Sequence, residues 1–147
     1  MKKEILKMFI NFQALNNNDI MNLNGYNFEN NTFKLHLLKD QKKGAKVSDN
    51  KFYVVKDDCF IKFEYDEILN KLIIISSKEI ENLALYIKSL KNFKLKKIEV
   101  YCTDMFIDLQ QQLLEAGYTV ELIRKERFFN NNTYQNEVVL SYLREIN

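Results

Sequence analysis

Proton transfer near neutral pH needs a histidine, carboxylate, tyrosine or thiol whose ionisation its surroundings can tune. His36 is the only histidine. It lies in Phe33-Lys34-Leu35-His36-Leu37, whose alternation predicts a strand with His36 on the polar side, a surface place and not that of a base. Glu64 and Asp66 end an apolar run. Carboxylates there could deprotonate an amine if burial tuned them, and otherwise form an exposed strand pair. Tyr86 and Tyr101 could donate a proton or serve as half-buried packing residues. Ser76 and Ser77 could face a phosphate, but Ser76-Ser77-Lys78-Glu79 has capping-box spacing, and helix capping is the stronger reading. Cys59 and Cys102 sit in apolar runs, where thiols act as small hydrophobes. Two cysteines, no Cys-x-x-Cys and one histidine make neither a zinc site nor a disulfide framework, so no metal is expected.

These groups must be positioned by one domain, because 147 residues is the ordinary length for a single core. A hydrophobic fraction of 46%, with eleven Phe and eight Tyr, is enough apolar surface to oppose the entropy of chain ordering, which excludes general disorder. Ile5, Met8, Phe9, Phe12 and Leu15 recur at helical spacing and predict a helix over residues 4–15. An Asn-rich stretch from Asn16 to Asn31, with Gly25 as a turn, breaks it, and residues 39–50 read as a polar loop containing Gly44. Residues 51–56, 59–65 and 72–75 form an antiparallel meander around turns at Asp57-Asp58 and Asn70-Lys71. Ile80, Leu83, Ala84, Ile87 and Leu90 share one helical face, predicting a helix over 78–92. Residues 97–102 alternate as a strand. A helix over 104–116 follows, capped by Asp104 and ended at Gly117. Strands 119–129 and 134–143 flank a turn at Asn130-Asn131-Asn132, and Phe128, Phe129 and Tyr134 beside it read as hairpin packing or a partner surface.

The order helix, antiparallel meander, helix, strand, helix, hairpin resembles the GNAT acyltransferase superfamily. Residues 97–143 carry most of the likeness. The helix ending Leu113-Leu114-Glu115-Ala116-Gly117-Tyr118 stands where the family's helix ends in a Leu-Tyr-x-x-x-Gly-Phe-like phrase. Arg124-Lys125-Glu126-Arg127 and Glu137-Val138-Val139-Leu140-Ser141-Tyr142-Leu143 look like the last two strands. The resemblance implies an α/β (α+β) fold over residues 1–147: a mostly antiparallel, centrally splayed sheet with helices on both faces. It also implies acetyl-CoA as cofactor and an amine as acceptor. Glu64, Asp66 and Tyr101 are then the catalytic candidates, and Ser76, Ser77 and Lys78 stand at the cofactor loop.

The chain departs from the family pattern at two places. The family grips the cofactor's pyrophosphate with a Gln/Arg-x-x-Gly-x-Gly/Ala loop, whose glycines let backbone N–H groups approach the phosphates. Here the position reads Ile75-Ser76-Ser77-Lys78-Glu79-Ile80-Glu81-Asn82, without glycine and with Glu79 and Glu81 where an anion would sit. The family's general-acid tyrosine, four residues before the glycine, corresponds to Leu113, which cannot transfer a proton. Two functions stay open. The first is a non-catalytic binding or regulatory protein, without cofactor, acting through a protein partner or a homodimer. The second is an active acetyl-CoA-dependent N-acetyltransferase.

Met1-Lys2-Lys3 leads into no apolar signal core, and no run approaches the roughly 18 apolar residues of a membrane span. With the cysteine usage, a cytoplasmic location is expected. The net charge is +2, with 22 basic and 20 acidic residues interspersed. Its densest basic clusters, Lys39, Lys42, Lys43 and Lys46, then Lys91, Lys94, Lys96 and Lys97, read as solvated loops. Nucleic-acid binding should accordingly be weak and fall steeply with salt. Sub-micromolar, sequence-selective binding in a fluorescence titration at physiological salt would contradict this.

Overall fold

A computed structural model describes residues 1–130 and 132–145. The chain runs α1 (Lys2–Met8), β1 (Gln13–Ala14), α2 (Asn17–Met21), a 3-10 turn (Leu23–Gly25) and α3 (Asn31–Lys42). It continues through β2 (Lys51–Lys56), β3 (Cys59–Asp66), β4 (Lys71–Ser76), α4 (Leu83–Ser89) and a second 3-10 turn (Leu90–Asn92). Then come β5 (Lys97–Thr103), α5 (Ile107–Glu115), β6 (Thr119–Asn130) and β7 (Thr133–Leu143). The strands form one sheet in the order β1-β2-β3-β4-β5-β7-β6. Every neighbouring pair is antiparallel except β4 and β5.

Alternate residues of the strands feed two cores, one on each face. Ile5 of α1 and Phe9 just after it, Leu83, Ala84 and Ile87 of α4, and Leu109 and Leu113 of α5 pack with Ile61, Phe63, Ile74, Val100 and Leu140. On the opposite face Ile20, Leu23, Phe33 and Leu37 pack with Tyr53, Phe60 and Ile75. The period of two decides which face each strand residue serves.

All the predicted strands from residue 51 onward are present, but the first half differs from expectation. α1 stops at Met8, because Asn11 adopts a left-handed φ of 72° and turns the chain into β1. The expected strand around His36 is instead the middle of α3. Phe33, Leu37 and Asp40 recur at helical spacing and are buried, while Asn30 caps the helix by accepting from Thr32 N at 3.1 Å. Five alternating residues were too few to separate the two periods. Lys39 and Lys42 therefore sit on this helix and not in a loop, and the Asn-rich stretch holds α2, whose Asn16 and Asp19 form a reciprocal capping box.

The predicted helix over 78–92 begins only at Leu83, since the Ser76 and Ser77 hydroxyls serve other partners. Ser76 Oγ donates to Lys78 O at 2.6 Å, and Ser77 Oγ accepts from Phe60 N at 2.9 Å. α5 likewise starts at Ile107 and not at Asp104, whose carboxylate accepts from Asn136. The turn expected at Asn130-Asn131-Asn132 includes Asn131, which lies outside the described residues; Asn132 has a φ of 62°.

Burial assigns unequal weight to neighbouring leucines of α4: Leu83 is 1% exposed and Leu85 is 61% exposed. Leu83→Ala should cost about 2–5 kcal/mol by emptying a packed site, and Leu85→Ala no more than about 0.5 kcal/mol. Urea melts of the two variants check this, and equal losses would mean that the wrong face of α4 has been assigned to the core.

Candidate functional site

The parallel strands β4 and β5 pair as far as Ile75 and Tyr101 and then part. Parting strands leave backbone carbonyls without ladder partners, which burial makes costly. One short segment before α3 supplies the donors. Asn30 is 1% exposed, and its Nδ2 donates to Ser76 O at 2.9 Å and to Tyr101 O at 3.2 Å. Glu29 N and Asn30 N both donate to Ser77 O at 3.0 Å. The segment is tied to β7 as well. Gln135 accepts from Asn31 N and donates to Glu29 O, and Thr32 Oγ1 donates to Glu137 at 2.5 Å. Glu137 is a buried carboxylate that also pairs with Arg124 and Arg127.

Beyond Ser77 the chain reaches α4 through Lys78-Glu79-Ile80-Glu81-Asn82. Glu79 Oε2 accepts from Leu109 N at 2.8 Å, so the carboxylate sits at the N-terminal end of α5, where backbone N–H groups favour an anion. A cavity of about 470 Å³ opens between this loop and α5, with Glu79, Glu81, Asp108 and Gln112 among its lining residues. Three carboxylates and no lysine or arginine face it, a lining that suits an anion poorly.

A second polar group joins α3 to the sheet. Asp40 accepts from Tyr53 Oη at 2.5 Å and lies 2.9 Å from both Lys51 Nζ and Lys62 Nζ. Burial alone would raise the Asp40 pKa; the hydrogen bonds from Tyr53, Lys62 and Lys51 outweigh it and hold the carboxyl below its usual range. Lys62 is 2% exposed, and burial lowers its pKa in spite of Asp40. His36 Nδ1 is 3.4 Å from Lys62 Nζ. An ammonium has only donors, so Nδ1 must accept and the neutral ring carries its proton on Nε2. Burial, then the Lys62 charge, holds the His36 pKa down to about 4. Such an imidazole is neutral at pH 7 and offers no free basic nitrogen next to Lys62.

The residues singled out from sequence do not converge. Glu64 lies 3.6 Å from Lys51 and 3.8 Å from Lys62 in the charge cluster, while Asp66 accepts from Ile68 N and Leu69 N in the β3–β4 turn. Tyr101 is half-buried two strands from Lys62 in the same cross-strand row, and burial raises its pKa. Tyr86 accepts from Lys56 Nζ. Burial also raises the pKa of Cys59, and pushes that of Cys102 up to about 12, so neither thiol is poised as a nucleophile. Leu113 is fully buried in the core. No group of three or more His, Cys, Asp or Glu able to hold a metal occurs among the described residues. Sequence reading missed Asn30, Asp40, Lys62 and Glu137. Lys62, a charge inside Cys59-Phe60-Ile61-Lys62-Phe63, carried a signal; Asn30, one asparagine among many, carried none.

No protein-family model and no curated protein matches the sequence. Solved structures do match in shape. The dodecameric spermidine N-acetyltransferase from Vibrio cholerae aligns with a TM-score of 0.55 at 18% identity, covering 90% of this chain and 92% of that one. A chimera of that enzyme, SpeG, with hSSAT gives 0.55 at 17% identity over 90% and 94%. A protein provisionally named a phosphinothricin N-acetyltransferase gives 0.53 at 8% identity over 73% and 76%. The chain thus has the GNAT N-acetyltransferase fold, and at these identities the likeness is one of fold. No helix among the described residues is long and apolar enough to cross a membrane.

The His36 environment sets a pH dependence. Its folded pKa of about 4 lies below the ordinary 6.5, so between those values the unfolded chain binds more protons than the folded one. Stability from this group is fully present above about pH 6.5 and is lost as pH falls towards 4. His36→Asn should flatten that slope in melts taken across the window; an unchanged slope would place its origin elsewhere.

Proposed function

We propose, with the GNAT fold as premise, that this chain is a non-catalytic binding or regulatory protein and does not use acetyl-CoA. The observation that carries the reading is the Glu79 carboxylate held at the N-terminal end of α5 by Leu109 N at 2.8 Å. A pyrophosphate brought to this loop would meet that carboxylate and Glu81, each opposing it by about 0.3–1 kcal/mol. The loop has no glycine to let backbone N–H groups close on a phosphate, and each charge-assisted hydrogen bond forgone costs about 1.5–3 kcal/mol. Of the cofactor candidates Ser76, Ser77 and Lys78, both serine hydroxyls serve internal hydrogen bonds instead, Ser76 to the Lys78 carbonyl and Ser77 from Phe60 N.

The partner in this reading is a second copy of the chain. The tilted ring pair Phe129 and Tyr134, with centroids 4.9 Å apart and each residue 62% exposed, offers the contact. The dodecameric assembly of a fold neighbour supports a homo-oligomer.

Calorimetry with acetyl-CoA tests the reading. No heat is expected at micromolar concentrations, while a low-micromolar dissociation constant would overturn it. The chain would then be an acetyl-CoA-dependent N-acetyltransferase acting on an amine, with Glu64, Asp66 and Tyr101 as the residues to mutate. Light scattering should find an oligomer that Tyr134→Ser weakens; a monomeric wild type removes the self-association part.

A further inference from the structure

The segment that closes the parting of β4 and β5 is held almost wholly by hydrogen bonds. Glu29 is exposed and Asn31 half-buried, while Asn30 is buried through polar contacts to Ser76, Ser77 and Tyr101. Upstream, Asn24, Gly25, Tyr26 and Asn27 are exposed, with Tyr26 edge-on to Phe60, and half-buried Phe28 anchors the near end against Phe33 and Phe60. Downstream, Phe33 anchors α3 in the core. Between the Phe28 and Phe33 anchors, the last two residues before α3 and its first two place no apolar side chain in the core, so their own hydrogen bonds are what mainly opposes local opening.

We propose that residues 29–32 are a releasable strap, which opens without unfolding the sheet and controls access to the diverging ends of β4 and β5. Its release bares the carbonyl oxygens of Ser76, Ser77 and Tyr101 together, so whatever settles beneath it has to bring hydrogen-bond donors. The strap stands whether or not acetyl-CoA binds, since the Glu79 loop takes no part in it.

Asn30 has two separable roles: Oδ1 caps α3 through Thr32 N, and Nδ2 spans the two strands. Asn30→Asp keeps the acceptor and the size while removing both donors. In hydrogen exchange read by mass spectrometry, the amides of residues 29–31 in Asn30→Asp should exchange at least about tenfold faster than in the wild type, with those of β2 and β3 unchanged. Unchanged exchange at 29–31 would overturn the proposal, and so would an equal rise across the whole sheet, which would mean the segment opens only with global unfolding. If Asn30→Asp does not fold, Thr32→Val carries the same test by removing the anchor on Glu137 alone.

Discussion

Parallel strands cannot be joined by a tight turn, so the chain leaving β4 at Ser76 must cross one face of the sheet before β5 starts at Lys97. That crossing is α4 with its 3-10 turn, and it fixes where the Glu79 loop can lie. Both strands point their C-terminal ends the same way, and their separation after Ile75 and Tyr101 leaves buried carbonyls in need of donors. Asn30 meets that need from the opposite face of the sheet from α4, and Glu79 reaches from the crossover to the next helix. Asn30 could not be replaced by an apolar residue of similar size without leaving buried carbonyls unmatched.

The Asp40 cluster answers a different constraint. Lys62 is 2% exposed, and an unpaired ammonium so buried would be strongly destabilising. A single carboxylate accepting from Tyr53 and facing two lysines makes the position tolerable, and it ties α3 to β2 and β3 in one arrangement. His36, one helical turn from Asp40, is held neutral first by burial and then by the Lys62 charge, against the opposing pull of Glu64 and Asp40. The only histidine thereby packs beside the cluster, with Nδ1 facing Lys62.

The second half of the fold was legible because its periods are long and its punctuation clear. β5, α5 and the hairpin switch between spacings of two and 3.6, and Gly117, at a φ of 94°, ends α5 where a side chain would be strained. The first half was not, because local pattern was too short or tertiary contact overrode it. Phe33, Leu35 and Leu37 fit a strand over five residues, and only the wider set with Asp40 fits a helix. Ser76 and Glu79 had capping-box spacing, yet their side chains bond to Lys78 O and Leu109 N, partners that spacing cannot reveal. For the same reason the absence of glycine from the loop was readable, while the strap at Asn30, which depends on strands 46 and 71 residues away, was not.

β6 is the outer strand of the sheet and twelve residues long, with Val120, Leu122 and Ile123 exposed. A flat strand of that kind would template edge-to-edge growth of further chains. Its pairing with β7 slips between Val120 and Leu122 and again between Arg124 and Phe128, where Glu126 takes a left-handed φ of 51°. Each slip bends the strand and interrupts the row of outward N–H and C=O groups. The two bulges, with Arg124, Lys125, Glu126 and Arg127 between the apolar stretches, therefore act against amyloid-like stacking and leave this edge closed to any neighbour that needs an unbroken one.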